Sequence, residues 1–232
     1  MKDIAILTAL FDYPENYLPT FHKNASKYFN VEDIHIVRNS GLVESGSYYD
    51  KLYFYKVVKV LEYIEEHIKG KYEYILFLDA TDTNFISSPN NLIDKFKTFS
   101  CSIVMGAEKG LWPITNFTHL YEKKPILTEY KYLNSGTYFG YTEKIIDHMN
   151  QIIDKNHQLG IDDQGKWTIQ YLLNDDIIID QNQDFFFSTF NSKDKILIDR
   201  DDIKLVDSLA FVVHDNGGHN EQTIKLTDLL NR

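Results

Sequence analysis

The sequence predicts a single α/β domain built on a central, mostly parallel sheet, and three observations carry that prediction. Short apolar runs at Ile4–Leu7, Ile34–Val37, Tyr74–Leu78 and Ser102–Met105 alternate with stretches of helical spacing. Strand, helix, strand in that order makes neighbouring strands parallel. The run Tyr74–Leu78 is apolar throughout, the mark of a strand covered on both faces. With 232 residues, 43% of them hydrophobic and 25% charged, the chain has enough apolar material for one full core, and no repeat or Pro- or Ser-rich linker divides it.

The elements follow in order. Ile4–Leu7 is a compact buried strand. Behind Pro14, the residues Tyr17, Leu18, Phe21, Ala25 and Tyr28 fall on one helical stripe. Ile34–Val37 is the second strand. From Asp50 to Ile68 the apolar residues Leu52, Tyr55, Val57, Val58, Leu61, Ile64 and Ile68 recur every three or four positions, a long helix closed by Gly70. Tyr74–Leu78 is the third strand, Pro89 opens a helix through Leu92, Ile93 and Phe96, and Ser102–Met105 is the fourth strand. The rhythm then breaks. Ala107–Lys131 reads as a long loop with Trp112 and two prolines, the kind of loop that is usually functional or mobile. Tyr132–Tyr141 reads as a strand with two glycines, Ile145–Ile153 and Asp162–Leu173 as helices, and Ile177–Ile179, Phe185–Phe187, Ile196–Ile198 and Phe211–Val213 as short strands. One domain, 1–232, thus has a regular nucleotide-type half, about residues 1–106, and an irregular half, 107–232.

Composition narrows the function. Acidic residues outnumber basic ones, 34 to 24, for a net charge of −10. That argues against a nucleic-acid partner, which needs a cationic surface, and suits a cationic ligand or a metal ion. The lone cysteine, Cys101, excludes an intrachain disulfide and a thiolate zinc cluster. The amino-terminal M-K-D-I-A-I-L reads as a first strand and not as a signal peptide. No run approaches the roughly 18 apolar residues that cross a bilayer. A soluble, cytoplasmic chain with no membrane partner is the expectation.

The sharpest chemical signal is the third strand running into Asp79-Ala80-Thr81-Asp82. Open α/β sheets bind ligands beyond the carboxyl ends of their strands. Positions i and i+3 of a turn share a side, so Asp79 and Asp82 can converge on a hard divalent cation, for which carboxylate oxygens are suited. The alternative is that Asp82 merely forms the turn. A phosphatase of the haloacid-dehalogenase type needs its second Asp two residues after the first, and here it stands three after. Phe211–Val213 likewise ends in His214-Asp215-Asn216-Gly217-Gly218, an imidazole followed by glycines that let backbone approach a phosphate, or else a plain surface turn. Asp162-Asp163-Gln164 opens a helix, where acids also serve as caps. Asn134 lies in a glycine-containing turn-strand. Trp112 is either a sugar platform or a loop anchor. Lys56 is either a diphosphate cation or a solvated helix lysine.

Taken together and in this order, the segments resemble the GT-A glycosyltransferase domain of the multifunctional procollagen lysyl hydroxylases, the collagen galactosylhydroxylysine glucosyltransferases. The matching pieces are T-A-L at Thr8–Leu10, Lys56, F-L-D-A-T-D at Phe77–Asp82, A-E and W-P across Ala107–Pro113, Y-L-N-S-G-T-Y-F-G at Tyr132–Gly140, D-D-Q at Asp162–Gln164 and H-D-N-G at His214–Gly217. The resemblance implies a Rossmann-like nucleotide-diphospho-sugar transferase without the family's hydroxylase modules. It implies Mn²⁺ on Asp79, Asp82 and His214, bridging the diphosphate of UDP-glucose. Thr8, Ala9 and Leu10, with Ala80 and Thr81, would line the nucleotide; Thr81 stands where the family usually has an aromatic ring. Gly217, Gly218 and His219 would pass beneath the diphosphate. The family's Pro-Thr-Lys there is replaced by Gly218-His219-Asn220, which leaves Lys56 as the main candidate cation near the phosphates. Trp112, Asn134, Asp162 and Asp163 would shape the catalytic side that receives the sugar acceptor, a glycosylated collagen-like polypeptide. The second half would then complete the metal site and carry the acceptor. Two other readings share these residues: a nucleotide-sugar-binding module without turnover, and a transferase using UDP-galactose or another acceptor. Tyr48, Tyr49, Tyr53 and Tyr55 are either core or a contact patch of a homodimer.

Overall fold

The structure, a computed structural model, describes residues 2–11, 17–39, 48–156, 162–199, 202–206 and 208–216. Of the residues singled out above, Pro14, Gly217, Gly218, His219 and Asn220 lie outside the described residues, as do the side chains of Tyr17, Tyr48, Tyr49, Leu52, Tyr53 and Tyr55.

In chain order the elements are β1 (Lys2–Phe11), α1 (Tyr17–Ala25), β2 (Ile34–Asn39), α2 (Tyr48–Tyr63, running into a π-helical turn at Ile64–Ile68), β3 (Tyr72–Leu78), β4 (Thr83–Phe85), α3 (Leu92–Lys97) and β5 (Ile103–Glu108). There follow α4 (Thr118–Tyr121), β6 (Tyr132–Tyr141), α5 (Thr142–Asn156), α6 (Asp163–Leu173), β7 (Ile177–Ile179), β8 (Phe186–Ser188), β9 (Ile196–Asp199), β10 (Asp202–Leu205) and β11 (Val212–His214). The region read as a long loop, Ala107–Lys131, holds the end of β5, a 3₁₀ turn at Thr115–Phe117 and α4. Two short strands, β4 and β10, have no counterpart in the sequence reading, because three or four residues of mixed polarity carry no usable period.

The main sheet has six strands in the order β2-β1-β3-β6-β5-β7. β1 pairs in parallel with β2 and β3, and β5 with β7, while β6 runs antiparallel to both β3 and β5. The sheet is therefore mixed, with a single reversed strand near its centre. Its two faces are built from alternate residues, as the strand period requires. Ala5, Leu7, Ile75, Phe77, Met105 and Tyr138 pack against α2, α5 and α6 through Val57, Leu61, Ile64, Met149 and Trp167. Ile6, Tyr74, Leu76, Val104 and Phe139 face the other way, onto Phe21 of α1, Phe96 of α3, and Phe85, Phe186 and Val212. From Tyr74 to Leu78, β3 is apolar and buried because both layers need it. Rings from neighbouring strands stack within the first layer, with Phe77 and Tyr138 at 4.6 Å and 5° between planes. Among the described residues, no helix is long and apolar enough to cross a membrane.

A smaller sheet, β4-β11-β8, packs on the second face. β11 runs antiparallel to β4, setting His214 opposite Thr83, and parallel to β8, setting His214 opposite Ser188. Asp180, just beyond β7, fixes the start of β8. Its buried carboxylate accepts the N–H groups of Asp184, Phe185 and Phe186 at 2.8, 2.7 and 2.9 Å. Burial pushes this acid up to about 6, against the pull of those three donors toward the anion. Asp180→Ala leaves buried N–H groups unmatched and is expected to cost about 3 kcal/mol. Urea unfolding measures the loss, and an unchanged midpoint would remove this anchor from the account.

Candidate metal centre

The site forms where the carboxyl ends of β3 and β11 meet. Leaving β3, the Asp79 backbone N–H donates to Gly136 O of β6 at 2.8 Å, and the Leu78 carbonyl accepts Thr8 Oγ1 from β1 at 2.6 Å. Thr83 Oγ1 donates back to Asp79 O at 2.5 Å and closes the turn. Across it, the Asp215 N–H donates to Asp82 O at 2.8 Å, continuing the β4–β11 pairing past the end of the strand. The turn is thus tied to β1, β6 and β11 before any side chain of the acidic pair is considered.

On this frame Asp79, Asp82 and His214 each place a ligand atom within 4.8 Å of the others. His214 Nε2 lies 3.5 Å from Asp82 Oδ1, with 5% of the imidazole exposed against 26% of Asp82 and 28% of Asp79. The imidazole is a wall of the site, and the two carboxylates open to its mouth. Burial pulls His214 down, yet Asp82, Asp79 and Glu108 outweigh it and hold the imidazole above its ordinary value. Burial pushes Asp79 up, Lys56 opposes and Asp82 adds to the rise. Lys56 Nζ lies 2.8 Å from Asp79 Oδ1 and 3.0 Å from Asp163 Oδ2. Burial lowers this lysine, but Asp163 and Asp79 more than compensate and hold it well above the usual range.

Opposite the ligands stands Gly136. A methyl there would overlap His214 Cε1 and stand 2.8 Å from both Asp79 Oδ2 and His214 Nε2. The imidazole and the Asp79 carboxylate can therefore pack this closely on β6 only because residue 136 has no side chain.

A polar network buttresses the site. Glu108, at the end of β5, accepts Gln164 Nε2 at 2.8 Å and Asn216 Nδ2 at 2.6 Å. Burial pushes this acid up to about 7 despite those donors. Asn216 Oδ1 accepts Ser188 Oγ at 2.7 Å, so the turn after His214 is tied to β5 and to β8. Sequence reasoning did not single out Gly136, Glu108 or Asn216 for a role of its own. Glu108 was within reach, because an acid ending an apolar strand is the same signal that marked Asp79.

The remaining predicted residues fall in three places. Thr8 and Leu10 are buried near the carboxyl end of β1, where Leu10 and Ala80 pack with Leu18 and Ile36. Ala9 is half-buried against the α2 layer, and Thr81 is half-buried with Oγ1 3.5 Å from Asp82 Oδ1. Asn134 is buried in β6, its Oδ1 accepting the Gly136 N–H at 2.9 Å. Asp163 binds Lys56 and accepts Ser135 Oγ at 3.3 Å. Asp162 caps α6, accepting the Gly165 N–H at 2.8 Å, while its other oxygen accepts Trp112 Nε1 at 3.1 Å. Cap and indole holder are thus one side chain. Trp112 itself is 63% exposed.

The family of the PLOD GT domain matches residues 38–232. An uncharacterized protein of Acanthamoeba polyphaga mimivirus is 26% identical over 148 residues, 62% of this chain and 31% of that one. Procollagen-lysine,2-oxoglutarate 5-dioxygenase 2 of Mus musculus is 30% identical over 156 residues, 66% of this chain and 20% of that one. The chain spans less than a third of the length of these curated relatives. Among solved structures, a glycosyltransferase involved in the glycosylation of the major capsid of PBCV-1 shares the fold, with a TM-score of 0.55 and 14% identity over 93% of this chain and 94% of that one.

The donor set fits a divalent cation. Two carboxylates and an imidazole suit a divalent cation such as Mn²⁺ by ligand type, and the absence of a side chain at Gly136 lets Asp79 and His214 converge. Gly136→Ala, which pushes the imidazole and Asp79 apart, is therefore expected to weaken Mn²⁺ binding by roughly 10–100-fold, the range for changes in the residues that position metal ligands, with the far-UV circular dichroism unchanged. Isothermal titration with Mn²⁺ checks it, and wild-type affinity in this variant would show that the close packing of His214 and Asp79 on Gly136 does not set the site.

Proposed function

This chain belongs to the PLOD GT domain family, and on that premise we propose that it transfers glucose from UDP-glucose, with Mn²⁺, to galactosylhydroxylysine in a collagen-like polypeptide. The observation that supports this most is the convergence of Asp79, Asp82 and His214 from two different sheets onto one point beyond the carboxyl ends of the strands.

In this reading residues 1–106 supply the nucleotide side, and 107–232 supply the acceptor side and the third metal ligand. Asp79, Asp82 and His214 hold the cation, and Gly136 lets Asp79 and His214 converge on it. A divalent cation bound there supplies positive charge for the diphosphate leaving group, the kind of stabilisation that serves such transfers most directly. Thr8, Ala9 and Leu10, with Ala80 and Thr81, form the wall against which the nucleotide lies. The exposed indole of Trp112, held at its N–H by Asp162, offers a flat apolar face to a sugar ring. Asn134, Asp162 and Asp163 orient the acceptor side. Donor choice between glucose and galactose rests on one or two hydroxyl contacts, so both donors belong in the assay.

The test is a donor panel, with and without Mn²⁺, scored by mass gain on a galactosylated hydroxylysine peptide. One added hexose from UDP-glucose, dependent on the metal, is the expected result. Asp82→Ala is expected to reduce it by roughly a hundredfold or more in a folded protein. Full turnover by Asp82→Ala in chelator-treated buffer would refute the metal role. Binding of UDP-sugars without transfer from any donor would make the chain a binding module instead.

A further inference from the structure

Lys56 stands between the metal centre and the start of α6. The sequence suggests a cation aimed at phosphates, but in the fold the ammonium is already engaged by Asp79 Oδ1 and Asp163 Oδ2, over the ring of Phe77 at 5.4 Å from its centroid. Only 15% of the side chain is exposed. Lys56 takes Oδ1 of Asp79, and the other oxygen, Oδ2, is the one that packs against Gly136 beside His214.

We propose that Lys56 sets the affinity of the centre for its divalent cation by competing with that cation for Asp79, its charge being shared between Asp79 and Asp163. The inference rests on the metal reading given above. Two cations on one carboxylate repel, and in a partly enclosed site that repulsion is weakly screened. Asp163 draws part of the ammonium's charge away from Asp79 and so relieves it. Asp163, at the amino end of α6, is thereby coupled to the metal site through Lys56.

The two partners then act in opposite directions. Lys56→Met removes the competing cation and is expected to tighten Mn²⁺ about tenfold, while Asp163→Asn concentrates Lys56 on Asp79 and is expected to weaken Mn²⁺ about tenfold. The double variant is expected between them. The measurement is free Mn²⁺ by electron paramagnetic resonance, titrated into the full chain without nucleotide, so that it does not depend on turnover. If Lys56→Met fails to fold, the same comparison is made between Asp163→Asn and the charge-balanced double variant, where loss of Lys56 should again tighten Mn²⁺. A purely structural role would weaken binding in both single variants, and a role confined to the diphosphate would leave both at wild-type affinity; either overturns the inference while the metal reading stands. A wild-type chain that binds no Mn²⁺ overturns both.

Discussion

The site depends on the pairing of β4 with β11. That short ladder sets His214 opposite Thr83, one residue beyond Asp82, and extends through the Asp215 N–H to the Asp82 carbonyl. Without it the acidic turn at the end of β3 and the imidazole near the carboxyl terminus would belong to separate parts of the molecule. Everything else around the site holds this junction in place: Asp180 fixes β8 beside β11, and Asn216 ties the turn beyond His214 to Glu108 and Ser188.

The reversed strand β6 is the second constraint. Because it runs antiparallel to β3, its early residues, and not its late ones, lie at the carboxyl edge of the sheet, and Gly136 meets Asp79 there. A parallel strand would have brought Tyr141 to that edge. The reversal therefore lets a glycine face the ligands and places Asn134 and Ser135 beside α6, whose first residues Asp163 and Gln164 bond Lys56, Ser135 and Glu108.

Much of this was legible in the sequence. The apolar run of β3, the spacing in α2 and the acidic pair at 79 and 82 each follow from a local rule of burial or geometry. The direction of β6 was not, since a glycine-containing apolar strand reads alike in either direction. The three acids that end strands show the limit clearly. Asp79, Glu108 and Asp180 carry the same signal, a carboxylate at the carboxyl end of an apolar run. Of the three, Asp79 joins the cluster that could hold a metal ion, while Glu108 is bound by two amides and Asp180 by three backbone N–H groups. What separates a ligand from an anchor is the set of donors brought by distant elements, and no local pattern encodes it. The same holds for Lys56, whose helix spacing is plain but whose two carboxylate partners come from β3 and α6.

The central claim is that one ion is gripped by side chains drawn from two sheets. Anomalous diffraction at the manganese edge, from crystals grown with Mn²⁺, addresses it directly. A single dominant peak is expected within bonding reach of Asp79, Asp82 and His214. A dominant peak elsewhere, with these three side chains left uncoordinated, would contradict it.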